Sequence, residues 1–288
     1  MIDHYHIGSL GDQMPTISVE QALLSTLAAA SGHQHQIETL ENELPLIGCD
    51  IDYCDEQTLE VEIFPDRADM LSAETLAHAM IPFLHQAEPN PELDVIPGTI
   101  TMVVEREIAN IRPVILAAVI RSVNIDESAI KRLMDHQEKL HFSLGRKRRR
   151  ASIGVHDLAR ISPPFTVKAV NRTHSFIPLA SSQEMTIDAI LNEHAKGQEY
   201  AHLLEGMDLV PIIVDSRGKV LSFPPIINGD HTTVSKQTTD ILIDVTGWDQ
   251  RSCEVSLLLI CLQLQYMGGQ VESVEVQTAD SPSWSLDG

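Results

Sequence analysis

The sequence predicts an α+β protein, with a small N-terminal α/β module followed by a larger mixed α+β domain. Strand-like and helix-like segments are mixed along the chain without the strict alternation of a doubly wound sheet. Residues 87–98 are rich in proline and contain a glycine, which favours a boundary there. The 288 residues are enough for one large domain or two ordinary ones. We therefore expect an extension at 1–13, the module at 14–95, the larger domain at 96–278 and a tail at 279–288.

Four segments define the expected N-terminal module. Residues 17–30 carry apolar side chains at helical spacing, and residues 37–46 are compatible with a second short helix. Residues 59–64 alternate apolar side chains with glutamates, which is the pattern of a strand with one buried face. Ser72 can then cap a helix whose first turn carries Glu74, where the helix dipole favours a carboxylate.

The larger domain is predicted to contain more strands than helices. Two apolar stretches, 209–214 and 220–223, flank a polar turn and form a hairpin. Helices are predicted at about 126–140 and at 249–267, the second capped by Asp249 and ended by two glycines. The other predicted strands lie at 100–104, 114–123, 165–170, 240–245 and 271–276.

The chain is strongly acidic, and its charge is unevenly distributed. There are 41 Asp and Glu against 20 Lys and Arg, for a formal net charge of −21. Residues 1–100 hold 18 of the acids and a single base, Arg67. This balance argues against a general binder of DNA or other polyanions, because such contacts need Lys and Arg. The argument is weaker for residues 101–288, which hold the other 19 bases.

The sequence shows no signal for a membrane or for export. Its longest uncharged apolar run, residues 255–267, is too short to cross a bilayer, and no basic and apolar leader opens the chain. Four cysteines do not make a disulfide framework. We therefore expect a cytoplasmic protein.

The patterns that indicate metal, nucleotide or nucleophile chemistry are weak. Two His-x-His pairs lie in loop-like sequence, where unliganded histidines are the more common case. Ser152, His156 and Asp157 are triad residue types, but triads are assembled from distant segments, and no Gly-x-Ser-x-Gly elbow is present. No glycine-rich phosphate loop with a following lysine is present either. We expect that this chain requires no cofactor.

Five consecutive bases stand out in so acidic a chain: Arg146, Lys147, Arg148, Arg149 and Arg150. Most charge runs are solvated surface loops. Clustered guanidinium groups also suit contacts with an RNA backbone. Composition alone supports the two interpretations about equally.

Polar residues at the ends of two predicted strands indicate a possible pocket. Ser222 and Asn228 flank a double proline, which can equally be a rigid turn without chemistry. Asp244 and Thr246 fall on one face of a strand that ends at a glycine. Either of them could instead cap the following helix.

Eight ordered segments resemble the N-terminal half of the beta subunit of phenylalanyl-tRNA synthetases of archaeal and eukaryotic type. The segments are 14–19, 62–72, 137–141, 144–149, 153–158, 211–215, 221–228 and 243–247. The resemblance implies a small module followed by an editing domain, which hydrolyses tyrosine wrongly esterified to phenylalanine tRNA. It also implies that the chain meets the 3′ end of a mischarged tRNA, and it suggests an alpha subunit of the synthetase as a second partner.

The resemblance also implies which residues form the site. The expected catalytic residues are Ser222, Asp244 and Thr246. Asp244 or Thr246 would hold the phenol or the ammonium group of the substrate, and Ser222 would hold a water or the terminal ribose. The expected substrate-binding residues are Ile212, Asn228, Glu138 and His141, and the expected tRNA-binding residues are the five bases from 146 to 150.

Two departures from the family pattern affect the prediction. The family's Asn-Arg-Pro-Asp stands here as residues 66–69 with Ala68 in place of proline, and the bulky Trp248 occupies the position of a small residue. The first interpretation is an editing hydrolase, free-standing or as part of a beta subunit. The alternative is a non-catalytic paralogue that binds an amino acid, a tRNA or a synthetase subunit, which Trp248 filling the pocket would favour.

Overall fold

The computed structural model describes residues 15–84, 93–278 and 283–286. The chain divides into two compact units, Met1–Pro89 and Asn90–Gly288. The expected extension at 1–13 lies outside the described residues, and so do residues 87–92 of the proline-rich segment. Most of the expected tail at 279–288 also lies outside them.

The described part of the first unit holds three antiparallel strands in the order β1-β3-β2, together with three helices. The strands are β1 (Thr16–Glu20), β2 (Cys49–Cys54) and β3 (Thr58–Ile63), and the helices are α1 (Gln21–Ser31), α2 (Ile37–Glu43) and α3 (Ala73–Leu84). Burial alternates along β3, with Leu59, Val61 and Ile63 inside, as the sequence predicts. Ser72 caps α3, because its Oγ accepts a hydrogen bond from the Thr75 backbone amide at 3.2 Å.

The predicted helix at 17–30 is wrong at its start. Ile17 and Val19 lie in β1, and both side chains are buried. β1 is rich in β-branched residues and pairs with β3 along its whole length, so the backbone groups that face β3 are satisfied by the sheet. Pairing with a distant strand therefore overrides the local helical spacing, and α1 begins only at Gln21.

The described part of the second unit is built on two large sheets. The six-stranded sheet has the order β13-β12-β11-β8-β5-β16, the five-stranded sheet has the order β4-β15-β6-β14-β7, and β9 and β10 form a short ribbon. The strands are β4 (Val95–Ile96), β5 (Thr101–Val104), β6 (Val114–Arg121), β7 (Ala151–Asp157), β8 (Phe165–Asn171), β9 (Ser175–Phe176), β10 (Met185–Thr186), β11 (Leu209–Val214), β12 (Val220–Phe223), β13 (Ile227–Asn228), β14 (Ile241–Gly247), β15 (Gln270–Ser273) and β16 (Glu275–Thr278). The helices are α4 (Glu127–Phe142), α5 (Ile187–Glu193), α6 (Ala195–Tyr200) and α7 (Gln250–Tyr266).

An apolar cluster joins the two large sheets. It combines side chains of the five-stranded sheet, such as Ala117 and Leu242, with side chains of the six-stranded sheet, such as Phe165 and Ile213. A second cluster packs α5 and α6 against the other face of the six-stranded sheet. Helix α7 packs on β6, β14 and β7 of the five-stranded sheet, and α4 packs on α7 and β7. The α+β class is therefore confirmed.

Residues 271–276, predicted as one strand, belong to two strands in different sheets. β15 pairs with β6 in the five-stranded sheet, and β16 pairs with β5 in the six-stranded sheet. The buried side chains of Val271 and Val274 are three positions apart, an odd step that a strand of period two cannot place on one face. The chain therefore crosses between sheets at Val274.

The hairpin and the last helix agree with the sequence prediction. β11 and β12 are antiparallel around the predicted turn. Asp249 caps α7, and its Oδ1 accepts a hydrogen bond from the Ser252 amide at 2.8 Å. Among the residues that the structure describes, no helix is both long and apolar enough to cross a membrane.

A buried histidine links α4 to α7. The Nδ1 of His136 lies 2.9 Å from Oε1 of Gln263, and neither side chain is exposed. The Nε2 of His136 is buried and has no partner in the described part of the chain. Protonation would place a charged N–H there without an acceptor. Burial accordingly lowers the pKa of His136 to about 4.

We expect the free energy of unfolding to fall as the pH falls from about 6.5 to about 4, because the unfolded chain then binds a proton that folded His136 does not. One such proton changes the stability by about 1.4 kcal/mol per pH unit. Urea unfolding at several pH values should show a shallower dependence for His136→Gln. The exposed control His202→Gln should keep the wild-type dependence. Equal slopes for His136→Gln and the wild type would contradict this account.

Candidate functional site

The register of two adjacent strands brings the candidate residues of β14 to those of β7. Thr246 lies opposite Ser152, and Leu242 lies opposite His156. Leu242 belongs to the apolar cluster between the sheets, so Asp244 and Thr246, two and four positions further on, share that inner face. The polar side chains predicted from the sequence therefore lie inside the second unit, at one end of its inter-sheet core.

Asp244 is part of a buried chain of polar groups. Its Oδ2 lies 2.7 Å from Nε2 of His156, whose Nδ1 lies 2.9 Å from Oγ1 of Thr232. Thr232 in turn donates a hydrogen bond to the Gly229 carbonyl at 3.0 Å. All three side chains are nearly inaccessible to solvent. The imidazole therefore fixes the orientation of the Asp244 carboxylate.

Space for this pair depends on a missing side chain. Gly154 lies directly opposite Asp244 in the sheet. A Cβ at this position would overlap Oδ2 of Asp244 and would lie 2.7 Å from Nε2 of His156. Glycine is the residue that lets the carboxylate and the imidazole meet over β7.

A second polar group surrounds the buried side chain of Arg112. Its Nε donates to Oγ1 of Thr246 at 2.7 Å, and its Nη2 lies within 3.1 Å of the Thr246 carbonyl, the Ser152 hydroxyl and the Arg148 carbonyl. Burial lowers the pKa of Arg112 to about 10, so the group is still charged at neutral pH. The charge is held by neutral oxygens within hydrogen-bonding distance.

The hydroxyls of Thr246 and Ser152 have one hydrogen to spare. Both oxygens accept hydrogen bonds from Arg112, and the two oxygens lie 3.0 Å apart. Only one of their two hydrogens is used between them. The other is free to donate to an acceptor such as a phenol or carbonyl oxygen.

The remaining predicted residues of the six-stranded sheet lie on different faces. Ser222 pairs with Ile213, a member of the inter-sheet cluster, and with Asn228. Asn228 reaches the other sheet, because its Nδ2 donates to the Val155 carbonyl at 3.4 Å. Ile212 instead lies in the cluster with α5 and α6. The structure thus brings Ser222 and Asn228 to the side of β7, whereas Ile212 belongs to the opposite face.

Glu138 and His141 belong to a network that supports the start of β7. Nε2 of His141 accepts a hydrogen bond from the Ile153 amide at 2.8 Å, so Nδ1 carries the proton that faces Glu138 at 3.2 Å. Burial, together with the charge of the nearby Arg148, lowers the pKa of His141 to about 4. Burial would raise the pKa of Glu138, but His141 and the Arg148 guanidinium hold it well below its usual range.

Arg148 is an internal member of the basic run. Its Nη2 lies 2.6 Å from Oε1 of Glu138, and its Nη1 donates to the Ile226 carbonyl at 2.9 Å. Its guanidinium lies 4.4 Å from the centre of the Tyr200 ring, within range of a cation–π contact. Arg148 therefore ties α4, α6 and the double-proline turn together, and its charge does not face solvent.

The other four bases of the run are exposed: Arg146, Lys147, Arg149 and Arg150. Their role in tRNA binding stays a prediction. The alternative that Trp248 fills the pocket is not supported, because 49% of this residue is exposed.

The triad residue types do not assemble. His156 pairs with Asp244, whereas the carboxylate of Asp157 accepts from the Ala159 amide at 3.1 Å and from the Thr238 hydroxyl at 2.9 Å. Within residues 15–84, 93–278 and 283–286, no group of three His, Cys, Asp or Glu side chains could hold a metal ion.

Sequence reasoning missed five residues of this site: Arg112, Ser152, Gly154, His156 and Thr232. Gly154, His156 and Thr232 carry no local signal for their roles. Strand register brings Gly154 and His156 to Asp244, and the loop that holds Thr232 brings it to His156. Arg112 carried a signal, since it is a single base directly before the almost continuous apolar run of β6. A charge at the start of such a strand indicates a buried, hydrogen-bonded guanidinium.

Comparisons with known proteins place this geometry in a family. Residues 99–257 match the B3/4 domain family. The chain is 40% identical over 267 residues to the phenylalanine–tRNA ligase beta subunit of Methanococcoides burtonii, and to that of Archaeoglobus fulgidus. In both cases the match covers 93% of this chain and 48% of the relative. The chain thus spans about half the length of these relatives.

A solved structure is also similar. An N-terminal fragment of the phenylalanyl-tRNA synthetase beta subunit from Pyrococcus horikoshii superimposes with a TM-score of 0.88 at 31% sequence identity. The match covers 95% of this chain and 80% of the fragment. The chain therefore belongs to the B3/4 domain family, and within it to the N-terminal part of the phenylalanyl-tRNA synthetase beta subunits.

Proposed function

We propose that this chain hydrolyses tyrosine mis-esterified to phenylalanine tRNA, either alone or as part of a beta subunit. The observation that carries the proposal is the buried polar cluster of Asp244, His156, Thr246, Ser152 and Arg112 in a member of this family. Such a cluster supplies fixed charges and one spare hydroxyl hydrogen for a polar substrate.

An editing site, separate from the synthetic site, is needed for a physical reason. A synthetic pocket shaped for phenylalanine cannot strongly reject the same ring with one added hydroxyl. A site that hydrogen-bonds the phenol reverses the preference, because phenylalanine would leave the buried polar groups unpaired. The Thr246 and Ser152 hydroxyls, oriented by Arg112, fit this task since one of their hydrogens is not used within the pair.

The other groups divide the remaining tasks. The Asp244 carboxylate, oriented by His156, suits the ammonium group of the aminoacyl ester, since this gives a charge-assisted hydrogen bond. Ser222 suits a water or the terminal ribose. An aminoacyl ester is already reactive, so a positioned water can attack its carbonyl carbon and release amino acid and tRNA without a side-chain nucleophile.

One observation favours a second candidate function. Asp244, Thr246 and His156 are 2%, 0% and 0% exposed. Such complete burial is also typical of a polar network whose role is only structural. The second candidate is therefore a non-catalytic protein that binds tRNA or a synthetase subunit, with the cluster serving only to join β7 to β14.

We expect the full chain to remove tyrosine from tyrosyl-tRNA carrying the phenylalanine anticodon faster than it removes phenylalanine from the cognate ester. Asp244→Asn and Thr246→Val should each slow tyrosine release by about tenfold or more, because each removes one polar contact to the substrate. Single-turnover assays with labelled amino acid measure both rates. Thr233→Val, at an exposed threonine, is the matched control and should keep the wild-type rate.

The outcomes separate the two candidates. Selective loss of tyrosine that depends on Asp244 and Thr246 supports the editing function. Retained tRNA binding without ester loss supports the non-catalytic candidate. Selective hydrolysis that is unchanged in both variants would remove Asp244 and Thr246 from the site.

Gly154→Ala tests whether the geometry of the Asp244–His156 pair matters. The new methyl group overlaps the carboxylate, so we expect tyrosine release to fall as far as in Asp244→Asn. Gly206→Ala is the control, because its φ of +76° makes alanine strained while nothing lies within 4 Å. Thermal unfolding should show a loss of stability in both variants, whereas only Gly154→Ala should lose hydrolysis. A fully active Gly154→Ala would show that hydrolysis does not require the contact between Asp244 and His156 in its present geometry.

A further inference from the structure

Trp248 is an exposed aromatic side chain directly beside the basic run. β14 and β7 pair up to Gly247 and Ala151, and the next hydrogen bond runs from the Trp248 amide to the Arg150 carbonyl at 3.0 Å. Trp248 and Arg150 are therefore cross-strand neighbours. The other tryptophan, Trp284, packs against the inter-sheet core. Core packing thus explains Trp284 but not Trp248, which is 49% exposed.

Two exposed cations lie near the segment that carries this tryptophan. Arg150 comes from the loop before β7, and Arg251 comes from the first turn of α7. The hydrogen bonds of Ser252 lower the pKa of Asp249, and the charges of Arg150 and Arg251 lower it further, so both guanidinium groups lie near the segment that carries Trp248. Asp249 itself is engaged as the cap of α7. Two exposed guanidinium groups therefore lie near the exposed indole in a chain of net charge −21.

The backbone holds these groups in place. Gly247 has no room for a side chain, because a Cβ there would overlap the Arg150 carbonyl. Arg146, Lys147 and Arg148 all have left-handed φ angles of 49° to 65°, a conformation that is costly for residues other than glycine. The buried Arg148 side chain anchors this turn. A surface that is ordered before its ligand arrives loses less entropy on binding.

We propose that Trp248, Arg150 and Arg251 form a binding site for an unpaired nucleotide near the 3′ end of an RNA, with the base stacked on the indole and phosphates on the guanidinium groups. The proposal rests on the proposed function and assigns to it a contact outside the Asp244 cluster. Aromatic stacking combined with a positive groove is the usual recognition of single-stranded nucleic acid. An acidic peptide would use the cations, but it would not need the indole.

The test uses the full chain with Trp284→Phe, so that Trp248 is the single tryptophan. Titration with a single-stranded oligoribonucleotide that ends in CCA and carries no esterified amino acid should quench the tryptophan fluorescence, because a stacked base contacts the indole. Inorganic polyphosphate, which has charge but no bases, should bind without comparable quenching. Trp248→Ala, measured by anisotropy of a labelled oligoribonucleotide, should weaken binding by about tenfold, and Trp248→Phe should weaken it less.

Two further variants sharpen the test. Arg251→Gln should lower the slope of log affinity against log salt by about 0.7, the value for one phosphate contact on a single strand. Leu46→Ala, at an exposed apolar residue of the first unit, is the control and should bind as the wild type does. Equal affinity of Trp248→Ala and the wild type, or binding without quenching, would overturn the proposal. Equal quenching by polyphosphate would show a site for polyanions in general and would also overturn it.

This result is independent of hydrolysis. The oligoribonucleotide carries no amino acid, so its binding is measured without an ester to hydrolyse. Failure of stacking with tyrosine release intact would reject the nucleotide site alone. Stacking without hydrolysis in the wild type would reject the editing function and leave the nucleotide site standing.

Discussion

The second unit depends on one buried charge. In the part of the chain that the structure describes, Arg112 has no carboxylate within hydrogen-bonding distance, so its guanidinium is satisfied by oxygens on β14, β7 and the basic loop. Burying an arginine costs several kcal/mol unless hydrogen bonds compensate for the lost water. This requirement fixes the Thr246 and Ser152 side chains and the Arg148 carbonyl in one arrangement. The ends of two strands and the loop between α4 and β7 are therefore held as a unit.

The loop between α4 and β7 also connects Arg112 to α4 and to the double-proline turn. The Arg148 carbonyl accepts from Arg112, while its own guanidinium binds Glu138 and the carbonyl of Ile226 in the double-proline turn. Glu138 faces His141, which satisfies the Ile153 amide of β7. Two buried guanidinium groups thus position both walls of the candidate site. Arg148 therefore has a structural role that requires no contact with nucleic acid.

The elements predicted correctly are those set by the spacing of apolar residues and by turn and capping residues. The hairpin at β11 and β12 and the cap of α7 carry local signals, and both are confirmed. Ile17 and Val274 were placed wrongly, because pairing across the sheets outweighed local spacing there. Asp244 and Thr246 came from the family resemblance, and the structure gives them partners. Their partner His156 could not be predicted, since strand register is not a property of a local segment. Arg112 carried a signal as a single base before an apolar strand, but that signal did not show which oxygens would hold its charge.

The net charge is a poor guide to the binding properties of this chain, because its acidic excess and its basic run lie in different parts of the chain. Most of the acidic excess lies in residues 1–100, and the five-base run lies in the second unit. Even that run is divided, because Arg148 points inward while its four neighbours face solvent. An exposed indole beside a few cations suits a short single-stranded end better than a duplex, since stacking needs an unpaired base. An acidic protein can therefore select such an end locally while its overall charge weakens non-specific contacts with the rest of a tRNA.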